Sequence, residues 1–507
     1  MPLVEESTLP ADPPLTVPLV VIGNGPSGIC LSYMLSGYRP YISPDAMHPN
    51  PILNSKLEEA RHLSIVEQDL EYLSEGLEGR SSNPVAVLFD TLLHPDADFG
   101  YDYPSVLQWK LEQQHYIPHL VLGKGPPGGA WHAMEGSILT LSLGDWMELP
   151  GLKFKEWIAG KRRNIKSDRA TPEEIASYYK QYVKVMGLQR NFVENTYITS
   201  VTKLCRNQED DQPEIPPPQT LQIDPEAESE SLIKRNWEVC GYQRAADGSH
   251  LPFCLFAESV ALATGTFDSP ARLDVEGEDL PFVYHSLNEF EVAISKGKLC
   301  GNTDHVLIVG AGLTAADAVL CAYNNKLPVM HVFRRNANDS NLIFKQLPKN
   351  LYPEYHKVYH MMCTQSYTTA THLHSTYISY PEHCVLSLMP DKKCMLQGAS
   401  GLKILKICAA LILIGSHPNL FFLKEQGRSI GHIPNQPISC KGNPVHINPY
   451  TYEATKEPNL FALGPLVGDN FIRFLKGGAL GITRCLKVRQ NKKKLLNVER
   501  EDVDGIA

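Results

Sequence analysis

The sequence predicts an α/β protein with two dinucleotide-binding, Rossmann-like units, the second inserted into the first. Three observations predict it. "VVIGNGPSGIC" places Gly23-x-Gly25-x-x-Gly28 between a strand and a helix. "DHVLIVGAGLTAADAV" repeats the arrangement as Gly310-x-Gly312-x-x-Ala315. Two more strand ends, "ESVALATGTFDSP" and "AALILIGSHP", carry Gly265 and Gly415 ahead of prolines, where the chain is read as crossing between the units. The expected domains are a disordered 1–15, a first unit over 16–300 and 418–490, a second unit over 301–417, and a tail over 491–507.

Each glycine in the first turn has its own task. Gly23 permits the tight turn, Gly25 lets a pyrophosphate approach the backbone, and Gly28 lets the helix pack on the strand. Pro26 and Ser27 open that helix, whose N-terminal N–H groups face an anion. In the second turn Gly310 and Gly312 do the same work, Leu313 and Thr314 open the helix, and Ala315 is an accepted third residue. The next strand, "PVMHVFRR", ends on Arg334 and Arg335. An acid there would select NAD; arginine forks suit a 2′-phosphate, so the second site should take NADPH. The alternative is that these arginines are only solvated at a strand end. Two nucleotide sites imply electron transfer, and the usual pairing puts FAD in the first. Thr264 and Gly265, at their strand end, join the expected cofactor contacts.

The partner strand of the first unit is expected at "HLVLGK", far downstream of Gly28. An uninterrupted unit needs only about 30 residues, so residues 43–118 form an insertion, read as having its own small fold. The strand ends on Gly123 where an acid usually holds a ribose; losing that contact costs roughly 1.5–3 kcal/mol at most. Lys124 is left to reach a ribose or phosphate. Residues 207–231 are acidic and proline-rich, too poor in apolar side chains to order themselves, and read as a surface loop.

With 507 residues, 43% hydrophobic and 20% charged, the chain is an ordinary globular one. A net charge of −9 argues against a nucleic-acid partner. No signal peptide and no membrane-length apolar run is visible. Twelve cysteines without a Cys-x-x-Cys pair suit a reduced, intracellular chain, cytoplasmic first, with a nuclear or mitochondrial pool left open. His372-x-His374 has no further ligand cluster nearby, so no metal is expected. The basic "KVRQNKKKLL" reads as a solvated helix end, with nuclear import as the alternative.

The ordered set of motifs resembles the flavin-containing monooxygenases. It comprises GxGxxG, then Gly128-Gly129-x-Trp131, Ala263-Thr264-Gly265, GxGxxA and the two arginines. More narrowly, "VVIGNGPSGICLSYMLSGYRPY", "HLVLGKGPPGGAWH", "LIVGAGLTAADAVLCAYN" and "NLFALGPLVGDNFIRFLKGGALG" resemble the oxidative stress-induced growth inhibitor family nearly end to end. The resemblance implies an NADPH- and FAD-dependent oxygenase acting on a small molecule and oxygen, in a setting of growth restraint and oxidative stress. Gly128, Gly129 and Trp131 would then belong to the flavin loop. Asp145, after that loop, is a candidate catalytic residue, with a turn or helix cap as its alternative. Asp469 could hold the ribityl chain, and Gly477-Gly478 could open a helix aimed at the flavin. The monooxygenase signature after the Ala-Thr-Gly strand is degraded: His285 and Ser286 remain, but Asp279 and Pro281 replace phenylalanine and glycine. With Gly123, this motivates a second reading, a flavoprotein-derived regulator that binds protein partners through the insertion.

Overall fold

The computed structural model describes residues 9, 14–134, 139–159, 168–204, 235–299, 304–349, 351–364, 366–367 and 377–504. The acidic stretch 207–231 and His372-x-His374 lie outside them.

The chain divides into two compact units, residues 1–266 with 418–507 and residues 267–417. In the first, a parallel core joins Leu15–Ile22 to His119–Leu122 on one side and to His250–Leu262 on the other. Phe192–Val193 and Leu460–Ala462 extend it in parallel. Thr196–Lys203 and Trp237–Arg244 add an antiparallel meander on His250–Leu262. The central strands are runs of Val, Ile and Leu because both their faces are covered; Val20, Val21, Leu120, Val121 and Val260 have no exposed surface.

The second unit is a sheet in the order Ser366–Tyr367, Tyr377–Pro381, Val329–Phe333, His305–Val309, Gly401–Ile412, Lys393–Gly398, Cys384–Met389. The strands from 305, 329, 377 and 401 run parallel, and the helix Leu313–Asn324 follows the first of these. Its boundary falls at Phe267 rather than at 301. Val283–Tyr284 pairs with Ala410 and Leu411 of this sheet, and Ser269–Pro270 pairs with Ser416–His417 in a small ladder of its own, so backbone hydrogen bonds tie residues 269–284 to this unit. The two crossings, after Thr266 and before Pro418, fall beside Gly265 and Gly415.

Four more expectations change. The insertion starts earlier, with Tyr38–Ile42 pairing antiparallel with Leu107–Leu111. It is not a fold of its own: Leu53, Leu57, Leu70, Leu88 and Phe89 belong to the same apolar core as the first sheet. Its helix Pro84–Leu93 packs on the C-terminal helix. That C-terminal helix runs Ile472–Asp504, so the tail from 491 continues it. Within 1–15, Leu9 is 5% exposed and its N–H donates to Gln243 Oε1 at 3.3 Å, so part of the N-terminus is packed.

Candidate functional site

Both glycine turns are built as the spacing demands. Gly23 and Gly310 have φ of +112° and +136°, and a Cβ on either would meet a carbonyl oxygen of Ala263 or Leu413 at 2.3 or 2.2 Å. Side chains are excluded there by both conformation and space. The helices Pro26–Leu35 and Leu313–Asn324 start at Gly25 and Gly312, neither with a side-chain cap. A Cβ on Gly25 or Gly312 would find nothing within 4 Å. Each turn therefore presents uncapped N–H donors beside open space, the arrangement that binds phosphate. Nearby, Thr264 Oγ1 is buried without a hydrogen-bond partner among the described residues. A buried hydroxyl with no partner is costly, and a bound ligand would relieve it.

Gly123 has a physical reason. A Cβ there would lie 2.1 Å from Asn24 Nδ2. Asn24 is 4% exposed and fills the place of the usual acid. Its Nδ2 donates to the Gly125 carbonyl at 2.6 Å, and its own carbonyl accepts the Gly128 N–H at 2.9 Å. The two loops are thus laced together by the side chain that excludes an acid. Glu194 lies one strand over: it follows Val193, whose carbonyl accepts the Gly123 N–H at 3.0 Å. With Pro127, Phe192, Asn195, Gln243 and Arg244 it lines a cleft of about 530 Å³. Sequence reasoning missed it because that strand is only two residues long. Lys124 is exposed, Gly128 and Gly129 form the turn into the short helix Gly129–His132, and Trp131 packs on the core.

In the second unit Arg334 is exposed and makes no ion pair or hydrogen bond among the described residues. Arg335 is spent locally: Nη1 donates to the Asn341 carbonyl at 3.1 Å and lies 3.7 Å from Asp339. His285 Nε2 lies 3.0 Å from Glu278 Oε1, and Ser286 caps the helix Leu287–Ser295 in a reciprocal box with Glu289. Both residues retained from the monooxygenase signature thus have local partners.

Four expected site residues have other employment. Asp145 pairs with Lys155 at the surface. Gly477 and Gly478 do not open a helix; they lie inside Ile472–Asp504, where a Cβ on Gly477 would stand 2.4 Å from Ala86 Cα. The smallness of Gly477 brings helix and insertion together, and that of Gly478 lets the helix approach Leu463 and Tyr452. Asp469 is buried: Oδ1 accepts from Ser81 Oγ and Asn83 Nδ2 at 2.6 and 3.0 Å, and Oδ2 from Tyr452 at 3.2 Å. It anchors the insertion, so its oxygens are already engaged.

Burial pushes the Asp469 carboxyl up to about 6, against the three donors. The folded value lies above that of an unfolded chain, so the folded state holds an extra proton between about pH 4 and 6. Its contribution is therefore greatest below pH 4 and falls by on the order of 3 kcal/mol as pH rises through 6. Asp469→Asn is expected to remove this decline, read as a smaller melting-temperature drop from pH 4 to pH 7 than in the unsubstituted chain. An equal drop in both would refute the assignment.

The sequence reading also missed a buried cluster beside this anchor. Arg473 Nε donates to Asp90 Oδ1 at 2.8 Å and Nη1 to Asp98 at 3.0 Å, while its guanidinium lies over Trp146. Lys476 is 1% exposed, 3.4 Å from His94 Nε2. Burial lowers both of their pKa values, His94 well below its ordinary range. The available signal was two cations three residues apart in the apolar "FIRFLKGG".

No family model matches the chain. Over its full length it is 72% identical to human oxidative stress-induced growth inhibitor 2, covering 100% of both chains. The chain belongs to the oxidative stress-induced growth inhibitor family. Human oxidative stress-induced growth inhibitor 1 is 48% identical over 94% of this chain and 96% of its own. A Caenorhabditis elegans homologue is 28% identical, over 93% of each. Among solved structures, this family member is similar to a bacillithiol disulfide reductase from Staphylococcus aureus, with a TM-score of 0.55 and 14% identity. It is also similar to a flavin-containing monooxygenase from Stenotrophomonas maltophilia, with a TM-score of 0.50 and 14% identity. Each likeness covers 94% of this chain and 99% of the other. At that identity they establish a two-unit flavoprotein fold for the family member, and the fold alone. Among the described residues no helix is long and apolar enough to cross a membrane.

Proposed function

We propose that this chain is an NADPH- and FAD-dependent oxidoreductase of the monooxygenase kind, acting inside the cell on a small molecule and oxygen. Growth restraint under oxidative stress, the subject of its relatives' names, is the proposed setting. The carrying observation is that both glycine turns end in uncapped helices facing open space. A protein with no nucleotide to bind has no physical use for two such ends. Bound FAD would supply acceptance of a hydride from NADPH and reaction with oxygen.

In this reading the first turn, from Gly23 to Gly28, holds the pyrophosphate of FAD, with Thr264 Oγ1 donating to the cofactor. Glu194 takes the ribose role that Gly123 cannot. Gly310, Gly312 and the start of their helix hold the pyrophosphate of NADPH, and Arg334 pairs with its 2′-phosphate. Arg334→Ala is expected to weaken binding of 2′,5′-ADP roughly 10- to 100-fold, as for a charged hydrogen bond. Binding of 5′-AMP should be unchanged, and Arg335→Ala should cost less. Equal affinity of the Arg334 variant for 2′,5′-ADP, by calorimetry, would refute the role.

The reading as a whole is tested by the visible spectrum of the purified chain, with NADPH then added in air. Flavin bands that bleach and recover, with peroxide or product formed, are the expected result. A colourless protein that takes up no added FAD would overturn it. It would favour the second reading, a regulator acting through protein partners. One observation favours that reading: the insertion exposes Phe99 at 82%, and Tyr101 and Tyr103, also exposed, stack on each other.

A further inference from the structure

Cys240 and Cys254 occupy directly opposed positions on the antiparallel strands Trp237–Arg244 and His250–Leu262. Their Sγ atoms lie 2.7 Å apart, and both residues are partly exposed. Opposed residues in such a ladder have Cα atoms about 4.5–5.5 Å apart, within the span of a disulfide. Glu238, two residues before Cys240, puts its carboxylate within 4.8 Å of both sulfurs. That trio is a possible cation site by composition, but its spacing opposes one. Two thiolates about 2.3 Å from a tetrahedral zinc stand roughly 3.8 Å from each other, well beyond this contact.

We propose that Cys240 and Cys254 are a redox dithiol, converted to a cross-strand disulfide by a small-molecule disulfide. One cysteine, as its thiolate, attacks a sulfur of the small disulfide, whose S–S bond breaks and releases one thiolate. The second cysteine, also as its thiolate, attacks the protein-bound sulfur and releases the other. Two electrons pass from the protein to the small disulfide, and the two protons given up by the cysteines end on the two departing thiols. Burial, Cys240 and Glu238 push the Cys254 thiol up to about 12. It therefore stays protonated near neutral pH, and the exchange is slow. Oxidation would staple the hairpin that ends at Gln243 and Arg244 on the cleft wall. The inference is independent of whether flavin binds.

The test uses the full chain, reduced, desalted and equilibrated in glutathione buffers of falling reduced-to-oxidised ratio, then alkylated and digested with trypsin without reductant. Trypsin cuts after Arg244, between the two cysteines. The expected product is a disulfide-linked pair of peptides, one holding Cys240 and the other Cys254, with both losing alkylation together. In Cys240→Ser, Cys254 should stop at the mixed disulfide with glutathione. Alkylation of both cysteines at every ratio would overturn the proposal. So would co-purifying zinc that shields both until a chelator is added.

Discussion

Arg473→Met is expected to destabilise the first unit by about 3–5 kcal/mol at pH 7, the cost of stranding a buried charge. Asp90 and Arg473 side chains are 7% and 5% exposed, and the guanidinium is the cation paired with that carboxylate. Burial already raises the Asp90 carboxyl despite its partner. Without the guanidinium its folded pKa rises further, so the variant's stability is retained at low pH and lost as pH climbs through that raised value. The deficit should therefore be small near pH 4 and full at pH 7. Asp90→Leu added to Arg473→Met should recover much of the loss, because an apolar pair can replace a buried ion pair at little net cost. Urea unfolding of the two variants at both pH values decides the matter. A loss below about 1 kcal/mol at pH 7 would show that the pair does not hold the insertion in place.

Gly477→Ala is expected to cost roughly 3 kcal/mol, the upper end for overpacking. The added Cβ would lie 2.4 Å from Ala86 Cα and 2.7 Å from its nitrogen. These are backbone atoms of the insertion helix, so no rotamer change relieves the contact, and the two helices must separate. Early proteolytic cleavage within residues 43–118 should accompany the lowered melting temperature. A variant as stable and as protease-resistant as the unsubstituted chain would mean that the helices pack less closely here. An ordinary alanine costs nothing in a helix interior, so a large effect must come from this contact.

Much of the architecture was legible because it rests on local rules. A strand, a glycine turn and a helix are contiguous in sequence, and Gly23 and Gly310 are required by backbone shape alone. The uncapped helix ends follow from the same stretches. Arg334 was legible as a strand-end cation, although its difference from Arg335 was not: Asn341 and Asp339 reach only the second arginine.

What the sequence by itself determined is thus the two-unit α/β fold, the order of its crossings and both strand–glycine–helix turns. Only the tertiary structure decided how the insertion is used. Asp469, Gly477 and Arg473 lie in a stretch that reads as a cofactor-binding end, yet they serve as an anchor, a close approach and a buried ion pair. Their partners, Ser81, Ala86 and Asp90, stand nearly 400 residues earlier. The same holds for Gly123, whose missing acid is explained by the Asn24 side chain, and for the opposed Cys240 and Cys254. Side-chain meetings of this kind depend on how distant segments pack, and periodicity and motif spacing record only what neighbours along the chain can do.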